Sequence, residues 1–441
     1  MSAAPQPPTP DFRLRSRRVF TRQGERPATL HVRNGRIAAI EDYDSRDVDD
    51  AGDAEDLGDV AILPGIVDVH VHLNEPGRTE WEGFATGTAA AAAGGTTLVV
   101  DMPLNSSPVT TTAAALAAKR AATSGKLSCD VGFYGGLVPG NEGEIAALVD
   151  AGVLGIKVFL CHSGIDDFPA ATERELRAAM PVLAVRGLPL LAHAELVTPQ
   201  PPQVDPRSFA QFLASRPPEF ERAAIRLLID LCRETRCRTH IVHLADAESL
   251  PLLAAARAEG LPLTVETCPH YLLFDAESIS DGATEFKCTP PIRPRANREQ
   301  LWQGLYDEVI DFIATDHSPS PPEMKRREDG NFAAAWGGIS SVQLLLSAVW
   351  TEASQRGHTL AEVIEWLSHR PAQFVGRSTA IAPGAEANFV AFDPEAAYVV
   401  RGQELKHRHP LTPYEGRELR GIVQQTWLRG VPAAPGVGMT I

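Results

Sequence analysis

The chain has 441 residues, of which 44% are hydrophobic and 22% are charged, so its composition is that of an ordinary globular protein. Single cores stop growing at about 250–300 residues, which predicts a barrel-sized domain plus a smaller one. Its 41 Lys and Arg against 56 Asp and Glu give a formal net charge of −15, so we expect neither a nucleic-acid partner nor a membrane partner.

Residues 1–12 are rich in proline and polar residues, which predicts a disordered lead-in. They lack the apolar segment of a secretory signal, so we expect a cytoplasmic protein. The sequence contains six cysteines and no Cys-x-x-Cys pair. In a cytoplasmic chain this pattern predicts reduced thiols, with neither a disulfide framework nor a zinc–thiolate site.

Both ends of the chain carry short alternating strands that are separated by glycine and aspartate turns. The predicted strands are 18–21, 29–32 and 35–41 near the N-terminus, and 387–392, 397–401 and 421–429 near the C-terminus. Neither end has enough strand to bury a face by itself. We therefore predict one small β-sandwich domain assembled from residues 13–62 and 384–441, with residues 63–383 inserted between them.

Between these ends, apolar runs alternate with Ala-, Leu-, Glu- and Arg-rich segments of helical length. The apolar runs are 62–73, 97–102, 130–137, 154–160, 188–193, 239–244, 261–267 and 309–314. The predicted helices are 142–150, 173–186, 218–236, 248–260, 338–355 and 360–368, plus one that begins at the capping-box pattern of Thr79 and Glu82. Eight buried strands that alternate with helices predict an α/β fold with a (β/α)8 TIM-type barrel.

Polar residues suited to metal binding stand at the ends of five of these runs, where barrel enzymes place catalytic groups. They are His70 and His72, then Lys157, His193, His243 and Asp316. Side chains alternate along a strand, so His70 and His72 face the same way and can bind one cation. Lys157 lies in an apolar run, where an unpaired ammonium is costly. Each residue alone has a structural explanation, but their recurrence at successive strand ends predicts a metal site.

The motif His70-Val-His72 after Leu-Pro-Gly-Ile-Val-Asp, the strand lysine, the two later histidines and the final Thr-Asp-His resemble the cyclic amidohydrolases. This superfamily includes dihydroorotases, hydantoinases and allantoinases, and the resemblance covers nearly the whole chain, including the segment 384–390. It implies that carbon dioxide converts Lys157 to a carbamate that bridges two divalent metals. The implied ligands are His70, His72, Lys157 and Asp316 for one metal, and Lys157, His193 and His243 for the other.

The resemblance also implies the chemistry of the site. Two bound divalent metals lower the pKa of a shared water and polarise the attacked carbonyl. Asp316 is the implied catalytic residue, which accepts the proton of the water and delivers it to the leaving ring nitrogen. Zinc suits histidine and carboxylate ligands best, although cobalt, manganese and iron also fit. The family favours homotetramers.

The segments around the predicted ligands indicate the substrate. Residues 73–84 and 101–106 resemble the allantoinase branch, and further matches are 266–271, 287–293, 335–339 and 411–416. Dihydroorotases typically carry an arginine for the substrate carboxylate where Asn74 stands, and hydantoinases lack the Glu-Pro-Gly turn that follows it. The resemblance therefore implies opening of the hydantoin ring of allantoin, a small molecule, to allantoate. The alternative is a dihydroorotase or a hydantoinase-like cyclic amide hydrolase.

The implied substrate contacts are Asn74, Asn105, Ser163, Thr289 and Gly338, the last two mostly through backbone groups. A structural explanation stays open for each of them, since Asn105 also suits a loop cap and Gly338 a turn. His162 stands where hydantoinases have a tyrosine that supports the oxyanion, which leaves the oxyanion-stabilising group of this chain open. A non-catalytic scaffold is disfavoured because every implied ligand position holds a competent residue.

Overall fold

The computed structural model describes residues 10–45, 54–199 and 204–441. Its strands are β1 (Phe12–Thr21), β2 (Gly24–Arg33), β3 (Arg36–Asp42), β4 (Glu55–Asp56), β5 (Ala61–Pro64), β6 (Ile66–Val71), β7 (Thr96–Asp101), β8 (Asp130–Phe133), β9 (Gly135–Gly136), β10 (Ile156–Phe159), β11 (Leu190–His193), β12 (Thr239–Ile241), β13 (Leu263–Thr267), β14 (Phe312–Ile313), β15 (Phe389–Val399), β16 (Glu418–Leu428) and β17 (Val431–Pro432). Its α-helices are α1 (Phe84–Ala93), α2 (Ala113–Ala122), α3 (Ile145–Asp150), α4 (Glu173–Arg186), α5 (Phe209–Ala214), α6 (Glu219–Thr235), α7 (Leu250–Ala258), α8 (Pro269–Leu273), α9 (Arg295–Tyr306), α10 (Leu345–Gln355), α11 (Leu360–Ile364) and α12 (Arg370–Phe374).

A closed parallel β-barrel forms the centre of the protein. Strands β6 to β8 form one sheet, and β9 to β14 form a second sheet in chain order. The sheets join because β9 continues β8 past Tyr134, whose N–H donates to the carbonyl of Asp101 on β7 at 3.0 Å. The barrel closes where the N–H of His72 donates to the carbonyl of His317 at 2.8 Å. Its strands are buried almost throughout, as expected when helices cover a parallel sheet.

The two ends of the chain meet in an eight-stranded sheet outside the barrel. The strand order is β17-β16-β15-β5-β1-β2-β3, and β4 pairs with β1. Strand β5 from the N-terminal part pairs antiparallel with β15 from the C-terminal part. This sheet has a hydrophobic core of its own, which includes Leu14, Leu30, Val32, Phe389 and Trp427. The predicted fold class, a TIM-type barrel with a β-sandwich domain assembled from both termini, is confirmed.

The helices around the barrel follow local sequence signals. Helix α4 has the bounds predicted from sequence, because Thr172 and Glu175 form a capping box at its start. Gly187 ends this helix with a left-handed φ of 68°. Helices α3, α6 and α7 likewise lie within predicted segments.

The predicted helix start at Thr79 and Glu82 is wrong. Residues 79–81 form a turn, and α1 begins at Phe84. The carboxylate of Glu75 accepts the N–H of Phe84 at 2.9 Å and takes the role of the cap. Glu82 is fully buried instead, and its carboxylate accepts the N–H of Arg408 at 3.1 Å. A partner distant in sequence therefore overrides the local capping pattern.

The predicted helix at 338–355 is wrong in its first half. Helix α10 covers only Leu345–Gln355, because Gly338 has a φ of 132°, outside the helical region. A Cβ atom on Gly338 would lie 2.3 Å from the carbonyl oxygen of Ser318, so this position requires glycine. The following helix extends beyond the predicted 360–368, since a π-helical turn at Glu365–His369 connects α11 to α12. The strands predicted at 387–392 and 397–401 form one strand, β15.

All six cysteines are unpaired and buried in the described chain, as expected for reduced thiols. Across residues 10–45, 54–199 and 204–441, no helix is both long enough and apolar enough to cross a membrane. Residues 1–9 of the predicted lead-in lie outside the described residues.

Candidate active site

A cavity at the C-terminal ends of the barrel strands brings all the predicted metal ligands together. It is lined by His70, His72, Lys157, His193, His243 and Asp316, and by Leu104, Asn105, Phe159, Ser163, Thr289, Ser318, Trp336, Gly337 and Gly338. The histidines and the lysine are buried, and the side chain of Asp316 is 13% exposed. The buried strands thus end in a polar cavity with limited access to solvent.

His70, His72 and Asp316 form the first group of predicted ligands. The Nε2 atoms of both histidines lie 3.2 Å from Oδ1 of Asp316. Burial raises the pKa of Asp316, but the charge of His70 and hydrogen bonds from His70 and His72 hold that pKa well below its ordinary value. Asp316 is therefore an ionised carboxylate that faces two imidazoles. The three side chains offer ligand atoms within 4.8 Å of one another, which fits one metal ion.

His193 and His243 form the second group. Their rings meet edge to face with centroids 4.6 Å apart, and His193 also stacks on Phe159 at 4.5 Å. Burial lowers the pKa of both histidines well below the ordinary value, and the charge of Lys157 adds to this effect. Both imidazoles are therefore neutral, which is the form that binds a metal.

Lys157 lies between the two groups and has an unusual environment. Its side chain is fully buried, and its Nζ atom has no hydrogen-bond partner among the described residues. Burial lowers the pKa of Lys157 to about 8, although Asp316 and Glu266 act in the opposite direction. An orphaned buried amine is costly as a purely structural element. Together with the imidazoles and the carboxylate, it completes a donor set that fits divalent metal ions.

Backbone strain is concentrated at this cavity. Asn74, Asn105, His243 and Asp316 all have positive φ, at 63°, 68°, 40° and 47°. Such conformations are uncommon outside glycine and cluster at functional sites, where the surrounding structure holds them in place. The strain therefore supports a functional role for the ends of these strands.

Four of the five predicted substrate contacts line the cavity: Asn105, Ser163, Thr289 and Gly338. Asn74 is buried beside it, where its Nδ2 donates to the carbonyl of Pro319 at 3.4 Å. Thr289 also lines a second, outer chamber, which shares Ser163, Trp336 and Gly337 with the inner cavity. The roles of these residues stay predictions.

Gly338 already has protein partners for both of its backbone groups. Its N–H donates to the carbonyl of Lys287 at 2.9 Å, and its carbonyl accepts a hydrogen bond from the buried amine of Lys325. His162 is exposed and lines the outer chamber, and its Nδ1 accepts the N–H of Gly164 at 3.0 Å.

Two buried carboxylates behind the predicted ligands have no role in the sequence-based prediction. Glu266 contacts Nδ1 of His70, and Glu195 lies 2.7 Å from Nε2 of His193. Glu195 has a local signal, since it follows His193 by two residues. Glu266 lies within the family match at 266–271 but is 196 residues away from His70, so its partner has no local signal.

The fold and the donor set together define a TIM-barrel enzyme with a metal-binding cavity at the C-terminal end of its strands. Residues 61–432 match the model of the Amidohydrolase family, and the chain belongs to this family. The resemblance and the enzyme class predicted from the sequence, a cyclic amidohydrolase, are confirmed. Family membership and the ligand set make it a metal-dependent enzyme.

Relatives extend this similarity over nearly the whole chain. An allantoinase of Streptomyces avermitilis is 48% identical over 95% of this chain and 94% of its own length. An allantoinase of Saccharomyces cerevisiae is 45% identical over 85% of this chain and 83% of its own. Among solved structures, the L-hydantoinase (dihydropyrimidinase) of Arthrobacter aurescens aligns with a TM-score of 0.88 at 25% identity, covering 98% of this chain and 99% of its own.

Proposed function

We propose that this chain hydrolyses the hydantoin ring of allantoin to allantoate, a step in purine and ureide nitrogen catabolism. The observation that carries the proposal is a complete ligand set at the barrel mouth in a chain 48% identical to an allantoinase. A dihydroorotase or hydantoinase-like activity is the second candidate. The similarity to the structure of an L-hydantoinase, at 25% identity, supports this alternative.

We further propose that the cavity holds two divalent metals, with zinc as the best fit, and that Lys157 is carboxylated. Bound metals would supply a water of lowered pKa and polarise the carbonyl of the substrate. His70, His72 and Asp316 would hold one metal, and His193 and His243 the other. A carbamate on Lys157 would bridge them, which explains why a buried amine lies among imidazoles without a hydrogen-bond partner in the described chain.

Asp316 acts as the general base and acid of the reaction. It is ionised because its contacts with His70 and His72 lower its pKa, so it can accept the proton of the attacking water. The same carboxyl then delivers this proton to the leaving ring nitrogen, which prevents expulsion of an amide anion. The side chain of Asp316 lines the cavity and is 13% exposed, which supports this role.

The substrate lies against Asn105, Ser163, Thr289 and Gly338, with Asn74 behind them. Hydrogen bonds hold the backbone of Asn105 and the side chain of Ser163. Asn105 accepts a hydrogen bond from Arg78 through its backbone carbonyl at 3.1 Å, and Ser163 donates to the carbonyl of Phe168 at 2.6 Å. An uncharged wall suits allantoin, which carries no carboxylate.

Allantoin is expected to be hydrolysed at least about a hundredfold more efficiently than dihydroorotate, since an unpaired buried carboxylate costs about 3–5 kcal/mol. Among the described residues that line the inner cavity, Lys157 is the only lysine or arginine, and the proposed carbamate would make its side chain an anion. Arg293 is buried in an ion pair with Glu221 at 2.5 Å, and Arg78 lies over the ring of Trp81. Neither arginine is free to pair with a substrate carboxylate.

The measurement is kcat/KM for allantoin, dihydroorotate and dihydrouracil, side by side, with the metal content of the same preparation. The control variant is Asn74→Arg, which we expect not to improve allantoin turnover, because the substrate offers this charge no counter-ion. Comparable efficiencies on allantoin and dihydroorotate would contradict the proposal and favour the second candidate.

We also propose that residues 13–62 and 384–441 form one domain and that residues 63–383 form the barrel domain. The separate core of the terminal sheet supports this division. The family resemblance supports a homotetramer, and the unpaired cysteines support a cytoplasmic location.

A further inference from the structure

Glu266 lies at the centre of a buried network behind the metal ligands. The carboxylate is fully buried on β13, where Oε1 contacts Nδ1 of His70 and accepts the backbone N–H of His243 at 3.3 Å. Its other oxygen, Oε2, lies 3.0 Å from Nε2 of His240. One carboxylate thus connects three strands of the barrel and two proposed metal ligands.

The far end of this network is also fixed. Nδ1 of His240 lies 2.8 Å from the hydroxyl of Thr264, and its ring packs between Phe312 and Phe374, with centroids 5.2 and 4.5 Å away. His240 lies inside the barrel and does not line the active-site cavity. These contacts fix the ring of His240, and His240 in turn restricts the orientation of the Glu266 side chain.

Glu195 makes the corresponding contact with His193, but on the opposite ring nitrogen. Its Oε2 lies 2.7 Å from Nε2 of His193, and Arg216 lies 3.5 Å from the same oxygen. Glu195 is fully buried two residues beyond the end of β11. His70 thus meets its carboxylate through Nδ1, whereas His193 meets its carboxylate through Nε2.

We propose that Glu266 and Glu195 are positioning residues that fix opposite tautomers of two metal-binding histidines. The carboxylate oxygens of Glu266 and Glu195 face these ring nitrogens as hydrogen-bond acceptors, so the nitrogen that faces each of them carries the proton. His70 then presents Nε2 to the cavity, on the side of Asp316, and His193 presents Nδ1. Each carboxylate also raises the basicity of the ligand nitrogen across the ring. The inference rests on the proposed metal centre but not on the proposed substrate.

Zinc affinity tests the two carboxylates separately. Glu266→Gln and Glu195→Gln are each expected to weaken zinc binding by about 10–100-fold, measured by competition with a chromophoric chelator. The matched control is Glu175→Gln, because Glu175 is also a buried carboxylate but caps α4 away from the cavity. We expect the control to bind zinc like the wild type. Zinc affinities within about threefold of the wild type in both active-site variants would overturn the proposal.

Histidine ring NMR tests the tautomers without altering either carboxylate. In zinc-loaded wild type, long-range proton–nitrogen correlations are expected to place the ring N–H of His70 on Nδ1 and that of His193 on Nε2. His70→Gln and His193→Gln assign the two signals. Finding both protons on the same type of nitrogen would overturn the inference. Neither readout uses allantoin, so a failure of the proposed substrate is seen separately, in the turnover assay.

Discussion

Replacement of Asp316 by asparagine is expected to slow ring opening by about 10²–10⁴-fold, the usual contribution of a general base. The amide keeps the size of the side chain but cannot take the proton of the attacking water. The fold should persist, because Asp316 is partly exposed at the mouth of the barrel and fills no core position. The measurement is kcat for allantoin at saturating zinc, together with the unfolding midpoint and the zinc content.

The matched control for this variant is Asp311→Asn. Asp311 precedes β14, at the other end of the barrel, where it pairs with Arg257 at 2.9 Å and accepts the N–H of Val265 at 2.7 Å. This control makes the same chemical change in the same barrel, outside the cavity. We expect it to lower stability and to leave the kcat of the folded enzyme unchanged. Near-normal turnover by a zinc-loaded Asp316→Asn enzyme would refute the role of Asp316 as general base.

The barrel and its predicted ligands are predictable because strands that are buried on both faces appear in the sequence as nearly continuous apolar runs. A lysine or histidine at the end of an apolar run stands out, and side-chain alternation places His70 beside His72. Parallel strands that end at the same rim then bring distant residues such as Lys157 and Asp316 together. These inferences need only the period of each element and the order of the strands.

The supporting contacts are not predictable in this way, because they join residues whose spacing carries no signal. Glu82 fits a local capping box but is buried against Arg408, 326 residues away. Glu266 lies in the predicted buried run 261–267, but its contact with His70 joins residues 196 positions apart, so the sequence alone does not identify its partner. The segment at Gly338 does not form the predicted helix, because the nearby carbonyl of Ser318 determines the backbone conformation there. Local propensity is overridden at each of these positions by packing or by a buried charge.

Replacement of Lys157 by alanine is expected to abolish metal binding and hydrolysis together. Carbamate formation joins Nζ to the carbon of carbon dioxide with loss of a proton, and alanine has no nitrogen for this reaction. The variant leaves the imidazoles without the bridging anion between them. Short carboxylic acids such as acetate or propionate fit the space vacated by the side chain and should restore part of both properties. Zinc stoichiometry and turnover, each measured with and without added acid, check this expectation.

The control for this variant is Lys119→Ala, which also removes a buried lysine. Lys119 is paired with Asp101 at 2.6 Å, so its ammonium already has a counter-ion and no reason to become a carbamate. Its loss should lower stability, because the buried carboxylate of Asp101 loses its counter-ion, but zinc should stay bound and added acids should have no effect. In the wild type, exposure to ¹³C-labelled carbon dioxide should give a carbamate resonance that Lys157→Ala lacks. An active, zinc-replete wild type without that resonance would show that Lys157 works as a free amine, and the bridging anion would have to come from elsewhere.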